Sequence, residues 1–152
     1  MHRLDPGAGN SENPSRGLLV GFDLVRISRI TESIDKFGDL FKHRLFTQCE
    51  LDYAHSGEGL CAERLAARFA AKEATIKALK LSNAGIGWRE IEVRKLHDGD
   101  CVLALHGRVA ELASSLGVAT IALSLSHEGD YAGAMVSVLL EQSELNSFFD
   151  PA

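Results

Sequence analysis

The chain has few of the residues that would commit it to a special class. Cysteine occurs three times, at Cys49, Cys61 and Cys101. An odd, widely spaced set supports no disulfide framework and shows no zinc-ligand spacing, so the thiols read as reduced and the protein as cytoplasmic. There is one tryptophan and there are three prolines in 152 residues. Long apolar runs are missing. The longest near the N terminus, Gly17 to Phe22, is far short of the about 20 residues that cross a bilayer, and no membrane association is expected. Excess positive charge is absent too: 16 Lys and Arg against 21 Asp and Glu leave a net charge of −5. That argues against nonspecific nucleic-acid binding. A local basic patch remains available in Arg64, Arg68, Lys72, Lys77 and Lys80.

What is present suits one soluble domain: 45% of residues are hydrophobic and 24% charged. Residues 1–16 are rich in Gly, Asn, Ser and Pro without apolar period, and read as a disordered tail. Residues 17–142 read as the domain and 143–152 as a loose C-terminal tail. Leu18 to Val25 is a short, branched, apolar strand with Asp23 set inside it. Ser28 to Leu45 carries apolar residues at helical spacing, with Gly38 as a break. Thr47-Gln48-Cys49-Glu50 has the form of a capping box, so a new helix starts there. A long helix is expected over Leu60 to Leu81, then a loop over Ser82 to Gly87.

Trp88 to Leu96 alternates as a half-exposed strand, and His97-Asp98-Gly99-Asp100 turns it into a partner, Cys101 to His106. Arg108 to Leu116 is a helix stopped by Gly117. Ile121 to Ser126 and Tyr131 to Leu140 form a second hairpin around His127-Glu128-Gly129-Asp130. Strand, helices, hairpin, helix, hairpin is an α+β order, not βαβ alternation.

The long helix is the most informative segment. Ala67, Ala70, Ala71, Ala74 and Ala78 form one broad face of small residues, and Leu65, Phe69, Ile76 and Leu79 form a bulky second face. A helix apolar on two sides is mostly buried. Yet Arg68, Lys72, Glu73 and Lys77 ride on it. Charges on such a rod need partners, a ligand or a wet cleft. Glu73 taken alone pairs with Lys77 one turn on, and Asp23 taken alone caps or pairs at a strand end. Taken together, two acids on buried elements suggest an oxygen site for Mg²⁺, with lysines suited to a phosphate substrate. His127, in Ser124-Leu125-Ser126-His127, is either structural or solvated, or a contact to a phosphate or hydroxyl. Gly85-Ile86-Gly87 is a turn or a place where backbone approaches a ligand.

These same segments carry a resemblance. Gly21-Phe22-Asp23-Leu24-Val25 with Arg29-Ile30 resembles the opening of the holo-acyl-carrier-protein synthases. Arg44-Leu45-Phe46-Thr47 with Glu50 is similar to their Arg-Ile-Leu-Thr-x-x-Glu segment. Arg68-Phe69-Ala70-Ala71-Lys72-Glu73-Ala74 with Lys77-Ala78 resembles their most characteristic motif, and Ser124-Leu125-Ser126-His127 with Tyr131-Ala132 their terminal one. The resemblance spans about residues 18–140. It departs at Leu81 to Gly87, where many members have Gly-Thr-Gly, and at Asp98-Gly99-Asp100-Cys101, where Gly-Lys-Pro is usual.

The resemblance implies an α+β 4′-phosphopantetheinyl transferase fold, an antiparallel sheet around a long buried helix. It implies transfer of the 4′-phosphopantetheine arm of coenzyme A to a serine of an apo acyl carrier protein, in fatty-acid or polyketide synthesis. Adenosine 3′,5′-bisphosphate leaves, and Mg²⁺ is required. The metal ligands fall on Asp23 and Glu73, the phosphate lysine on Lys77, and coenzyme A contacts on Arg68, Lys72 and His127. The serine attacks the β-phosphorus, with Glu73 the candidate base through a water and Lys77 on the leaving group. A homotrimer with interfacial sites is implied, docking the acidic carrier on Arg26, Arg29 and Arg44. From chemistry alone, a non-catalytic binding module, a Mg²⁺-dependent nucleotide phosphohydrolase and a structural oligomer remain open.

Overall fold

A computed structural model describes residues 17–141. The two expected tails, and Gln142 at the end of the expected domain, therefore lie outside the described residues. The chain opens with β1 (Leu18–Arg26) and runs into α1 (Ile27–Phe37), α2 (Asp39–Leu45), α3 (Gln48–His55) and α4 (Cys61–Leu79). A 3₁₀ turn (Trp88–Glu90) leads to β2 (Ile91–Lys95) and β3 (Cys101–Leu105), then α5 (Gly107–Ser115), β4 (Val118–Glu128) and β5 (Tyr131–Leu140). β1, β5 and β4 form an antiparallel sheet in that order, and β2 and β3 a separate hairpin. This is the α+β plan expected.

α4 is the axis of the fold and packs along β1 and β5. Strand alternation turns Val25 of β1 and Ala132, Ala134, Val136 and Val138 of β5 toward it, all buried. On the helix Leu65, Ala66, Ala70, Ala71, Ala74 and Ala78 answer them. The small face thus includes Ala66, while Ala67 is only half-buried. Small side chains let the backbones approach very closely at Gly21. A Cβ built there would lie 1.9 Å from the Ala74 carbonyl oxygen and 2.8 Å from the Ala78 nitrogen. Backbone cannot step aside as a side chain can. Gly21→Ala is therefore expected to lose about 3 kcal/mol or more of stability and to push Asp23, two residues on, away from α4. Urea denaturation checks this; a loss under about 1 kcal/mol would contradict the packing.

Local signals explain the helices around this axis. Gly38, at φ +55°, separates α1 from α2 as expected. Thr47 and Glu50 form both halves of the capping box of α3: the Glu50 N–H donates to Thr47 Oγ1 at 3.3 Å and the Thr47 N–H to Glu50 Oε2 at 2.9 Å. α1 has no cap within its own segment. Asp130, from the β4–β5 turn, accepts from the Ser28 N–H at 2.8 Å and the Ser28 hydroxyl at 2.6 Å. Those bonds hold the Asp130 carboxyl below the usual carboxylate range. The start of α1 is thus pinned to the sheet from a distant turn.

Two expectations change. The strand expected over Trp88 to Leu96 begins only at Ile91, because Trp88–Glu90 coils into a 3₁₀ turn. Within that strand Glu92 is buried with Ile91 and Val93, and it accepts from Arg94 Nε at 2.6 Å. The second hairpin turn is shorter than read. β4 continues through His127 and Glu128, and Gly129 and Asp130 alone make the reversal.

Candidate active site

A cleft of about 880 Å³ opens beside the C-terminal half of β1, floored by α4 and walled by α1, α2 and Trp88. Asp23 reaches it because strand parity turns it inward, between the exposed Phe22 and Leu24. Glu73 and Lys77 reach it from successive turns of α4. The Lys77 ammonium lies 2.8 Å from Asp23 Oδ1 and donates to the Phe22 carbonyl at 3.1 Å. The Lys77 side chain is half exposed and that of Asp23 mostly buried. Burial first, and then the Asp23 carboxylate, pushes the Glu73 carboxyl above the usual range, with Lys77 opposing. Two acids and a lysine thus converge where the sequence reading brought them.

Arg26, Arg29 and Arg44 line the same cleft from the end of β1, from α1 and from α2, and all three are exposed. The opposite wall is apolar. Phe69 and Trp88 stack with ring centroids 5.4 Å apart. Sequence reasoning missed this wall. Alternation in the sequence puts Trp88 in a strand, and no local pattern joins it to Phe69.

Three expected contacts lie elsewhere. Lys72 is wholly buried and does not face the cleft. Its ammonium pairs with Glu50 Oε2 at 2.9 Å and donates to the carbonyls of Trp88, at 3.1 Å, and Ile91. Burial lowers its pKa and Glu50 opposes the shift. A coenzyme A contact by Lys72 is thus corrected to an internal tie from α4 to α3 and β2. Lys72 and Glu73 are neighbours in sequence but about 100° apart around the helix, so one faces the core and the other the cleft.

Arg68 is also buried. Its guanidinium stacks 4.1 Å from the Tyr53 ring centre and donates to the Arg64 carbonyl at 3.3 Å, and its Nε has no partner. Burial lowers its pKa. His127 is exposed, and its Nε2 lies 3.4 Å from Glu63 Oε1 at the start of α4. Glu63 precedes Glu73 by ten residues, about 15 Å along the helix. His127 is not among the residues that line the cleft, although Tyr131, beside its partner Ala132 on β5, is.

Among the described residues no group of three or more His, Cys, Asp or Glu side chains is assembled for a metal. The Asp23 and Glu73 pair still fits Mg²⁺, which takes one or two carboxylates and completes its shell with water and phosphate oxygens. Burial first, and then the Asp23 carboxylate, disfavours the charged form of Glu73, a cost that a bound cation would offset.

The sequence profile of the 4′-phosphopantetheinyl transferase superfamily matches residues 19–136. The chain belongs to that superfamily. It is 42% identical over 122 residues to the holo-[acyl-carrier-protein] synthase of Koribacter versatilis, covering 80% of this chain and 95% of that one. It is 43% identical over 122 residues to the protein of the same name from Solibacter usitatus, with the same coverage. The fold matches that of the ACPS–CoA complex of Chronobacterium ammoniagenes with a TM-score of 0.70 and 34% identity, over 82% of this chain and 98% of that one. It matches the Mycobacterium tuberculosis acyl carrier protein synthase with a TM-score of 0.63 and 36% identity, over 81% and 97%.

Proposed function

We propose that the chain is a holo-acyl-carrier-protein synthase: it moves the 4′-phosphopantetheine arm of coenzyme A onto a serine of an apo acyl carrier protein and releases adenosine 3′,5′-bisphosphate. The observation that carries this is the convergence of Asp23, Glu73 and Lys77 in one cleft of a chain of this superfamily. Asp23 and Glu73 would hold Mg²⁺, which neutralises charge on the pyrophosphate. The serine oxygen bonds to the β-phosphorus, and the bond from that phosphorus to the bridging oxygen breaks. Glu73 takes the serine proton through a water, and burial followed by the Asp23 carboxylate raises its proton affinity above that of a free carboxylate. Lys77 stabilises the leaving bisphosphate. Its ammonium is on a half-exposed stem and can turn from Asp23 to a phosphate oxygen. Most of the acceleration is positioning and electrostatics. Arg26, Arg29 and Arg44 rim the cleft as a docking surface for an acidic carrier.

The experiment is incubation with coenzyme A, Mg²⁺ and an apo carrier, read by intact mass. The expected result is gain of one phosphopantetheine arm on the carrier. Phosphate release without a carrier would replace this reading with a hydrolase.

The protein works as a homotrimer in the cytoplasm, in fatty-acid or polyketide synthesis. Supporting the assembly, the sheet face turned away from α4 is apolar and open: Val20, Phe22, Leu24, Met135 and Leu139 are each about half exposed. Such a patch marks an interface. His127, which does not line its own cleft, would serve that of a neighbouring subunit. Met135→Arg should yield monomers by light scattering and lose transfer; a trimer of wild-type activity would remove the sheet face as the interface. No helix of the described residues is long and apolar enough to cross a membrane, and the three cysteines are free, as suits a reducing compartment.

A further inference from the structure

Lys80 occupies a backbone conformation that the chain otherwise reserves for glycine. Its φ is +55° and ψ +48°, left-handed, at the C-terminal cap of α4. Every other positive-φ residue among those described is a glycine, seven in all. The conformation itself is imposed by the end of the helix. The Leu81 N–H donates to the Ile76 carbonyl at 2.9 Å, the Lys80 N–H reaches the Lys77 carbonyl at 3.4 Å, and Leu81 is buried. Glycine would satisfy this cap without strain. A lysine here carries a free-energy penalty that its backbone does not recover, and strain of this kind gathers at functional sites.

The side chain has somewhere to act. Lys80, Lys77, Ser82 and Asn83 line a second groove of about 630 Å³. Lys77 borders both this groove and the cleft of Asp23 and Glu73, so the two spaces adjoin at its side chain. Lys77 is already engaged by Asp23, whereas no acid among the described residues pairs with Lys80. The groove therefore offers a free ammonium, a hydroxyl and an amide beside the place where a pyrophosphate would sit. That set recognises a phosphate.

We propose that Lys80 binds a phosphate of the nucleotide end of the donor and sets donor affinity without taking part in the chemistry. This rests on the reading of the cleft as a coenzyme A site. The test is calorimetric binding of coenzyme A and of 3′-dephospho-coenzyme A to the wild-type protein and to Lys80→Gln, Lys80→Gly and Lys80→Arg. Lys80→Gln and Lys80→Gly should each weaken coenzyme A about tenfold, and Lys80→Arg should restore it. Lys80→Gly should also unfold at higher urea than wild type, which shows that the lost affinity is not lost folding. Weakening confined to coenzyme A assigns the contact to the 3′-phosphate; equal weakening of both ligands assigns it to the diphosphate. Either supports the proposal. Wild-type affinity in Lys80→Gln and Lys80→Gly overturns it. Failure of the functional reading looks different: wild-type protein would then not bind coenzyme A, or would bind it and leave the apo carrier unmodified.

Discussion

Glu73→Gln is expected to lower transfer about 10³-fold or more while leaving a folded protein. The change keeps the shape of the side chain and removes its charge. It thereby removes one of the two carboxylates proposed to hold Mg²⁺ and the proposed base at once, each the kind of group whose loss alone costs about 10²-fold or more. The pH dependence follows from the same residue. Its carboxyl is raised above the usual range by burial and by Asp23. A protonated Glu73 neither accepts the serine proton nor holds a cation well. Transfer should therefore fall as pH drops through that raised value, and Mg²⁺ binding there should release a proton.

Stability runs the opposite way. The native state holds this proton more tightly than the unfolded chain. The contribution is full below the ordinary carboxylate pKa and is lost as pH rises through the raised one. Glu73→Gln should not show that loss, so its stability relative to wild type should rise between acidic and neutral pH. Steady-state rates at saturating Mg²⁺ and denaturation at two pH values read both effects. Near-normal turnover in Glu73→Gln would remove this residue from the chemistry.

Lys72→Met is expected to be the most damaging single change to the fold, at about 3–5 kcal/mol. The ammonium and its partner Glu50 are both fully buried. Glu50 uses its carboxylate three ways: Oε2 takes the Thr47 N–H and Lys72, and Oε1 takes the Val93 N–H at 2.8 Å. Removing Lys72 leaves a buried negative charge and strands the Trp88 and Ile91 carbonyls it had served. The total stability of a domain this size is about 5–15 kcal/mol, so the loss is a large share of it. Adding Glu50→Gln should recover part of the deficit, because the stranded charge is then gone. A double-mutant cycle in urea should show strong coupling. A loss below about 1 kcal/mol in Lys72→Met, or strict additivity, would show that the pair is not the tie described.

Much of the site was legible in the residues because local rules act on it. Asp23 interrupts an apolar strand, and period-two alternation puts it on the face of Gly21 and Val25. Glu73 and Lys77 are one turn apart, so they had to share a side of α4. The capping box at Thr47 and the break at Gly38 follow from backbone chemistry within a few residues. Lys72 was misplaced for an equally physical reason. A cation on an alanine-rich helix looks the same in sequence whether it meets a ligand or a buried acid 22 residues earlier in the chain. Alternation among its neighbours places Trp88 in a strand, whereas Trp88–Glu90 form a 3₁₀ turn whose Glu90 accepts the Arg108 N–H of α5 at 2.7 Å, a partner 18 residues on.

The residues by themselves determined the α+β order, the buried character of α4, and the three side chains that meet in the cleft. All of these rest on periodicity and short-range hydrogen bonding, which act along the chain. Only the tertiary structure decided that Lys72 closes on Glu50, that Asp130 holds the start of α1, that Trp88 stacks on Phe69, and that His127 meets Glu63. Each of these joins groups far apart in sequence. Their partners are chosen by which surfaces the packed helix and sheet bring together, and no local pattern encodes that choice.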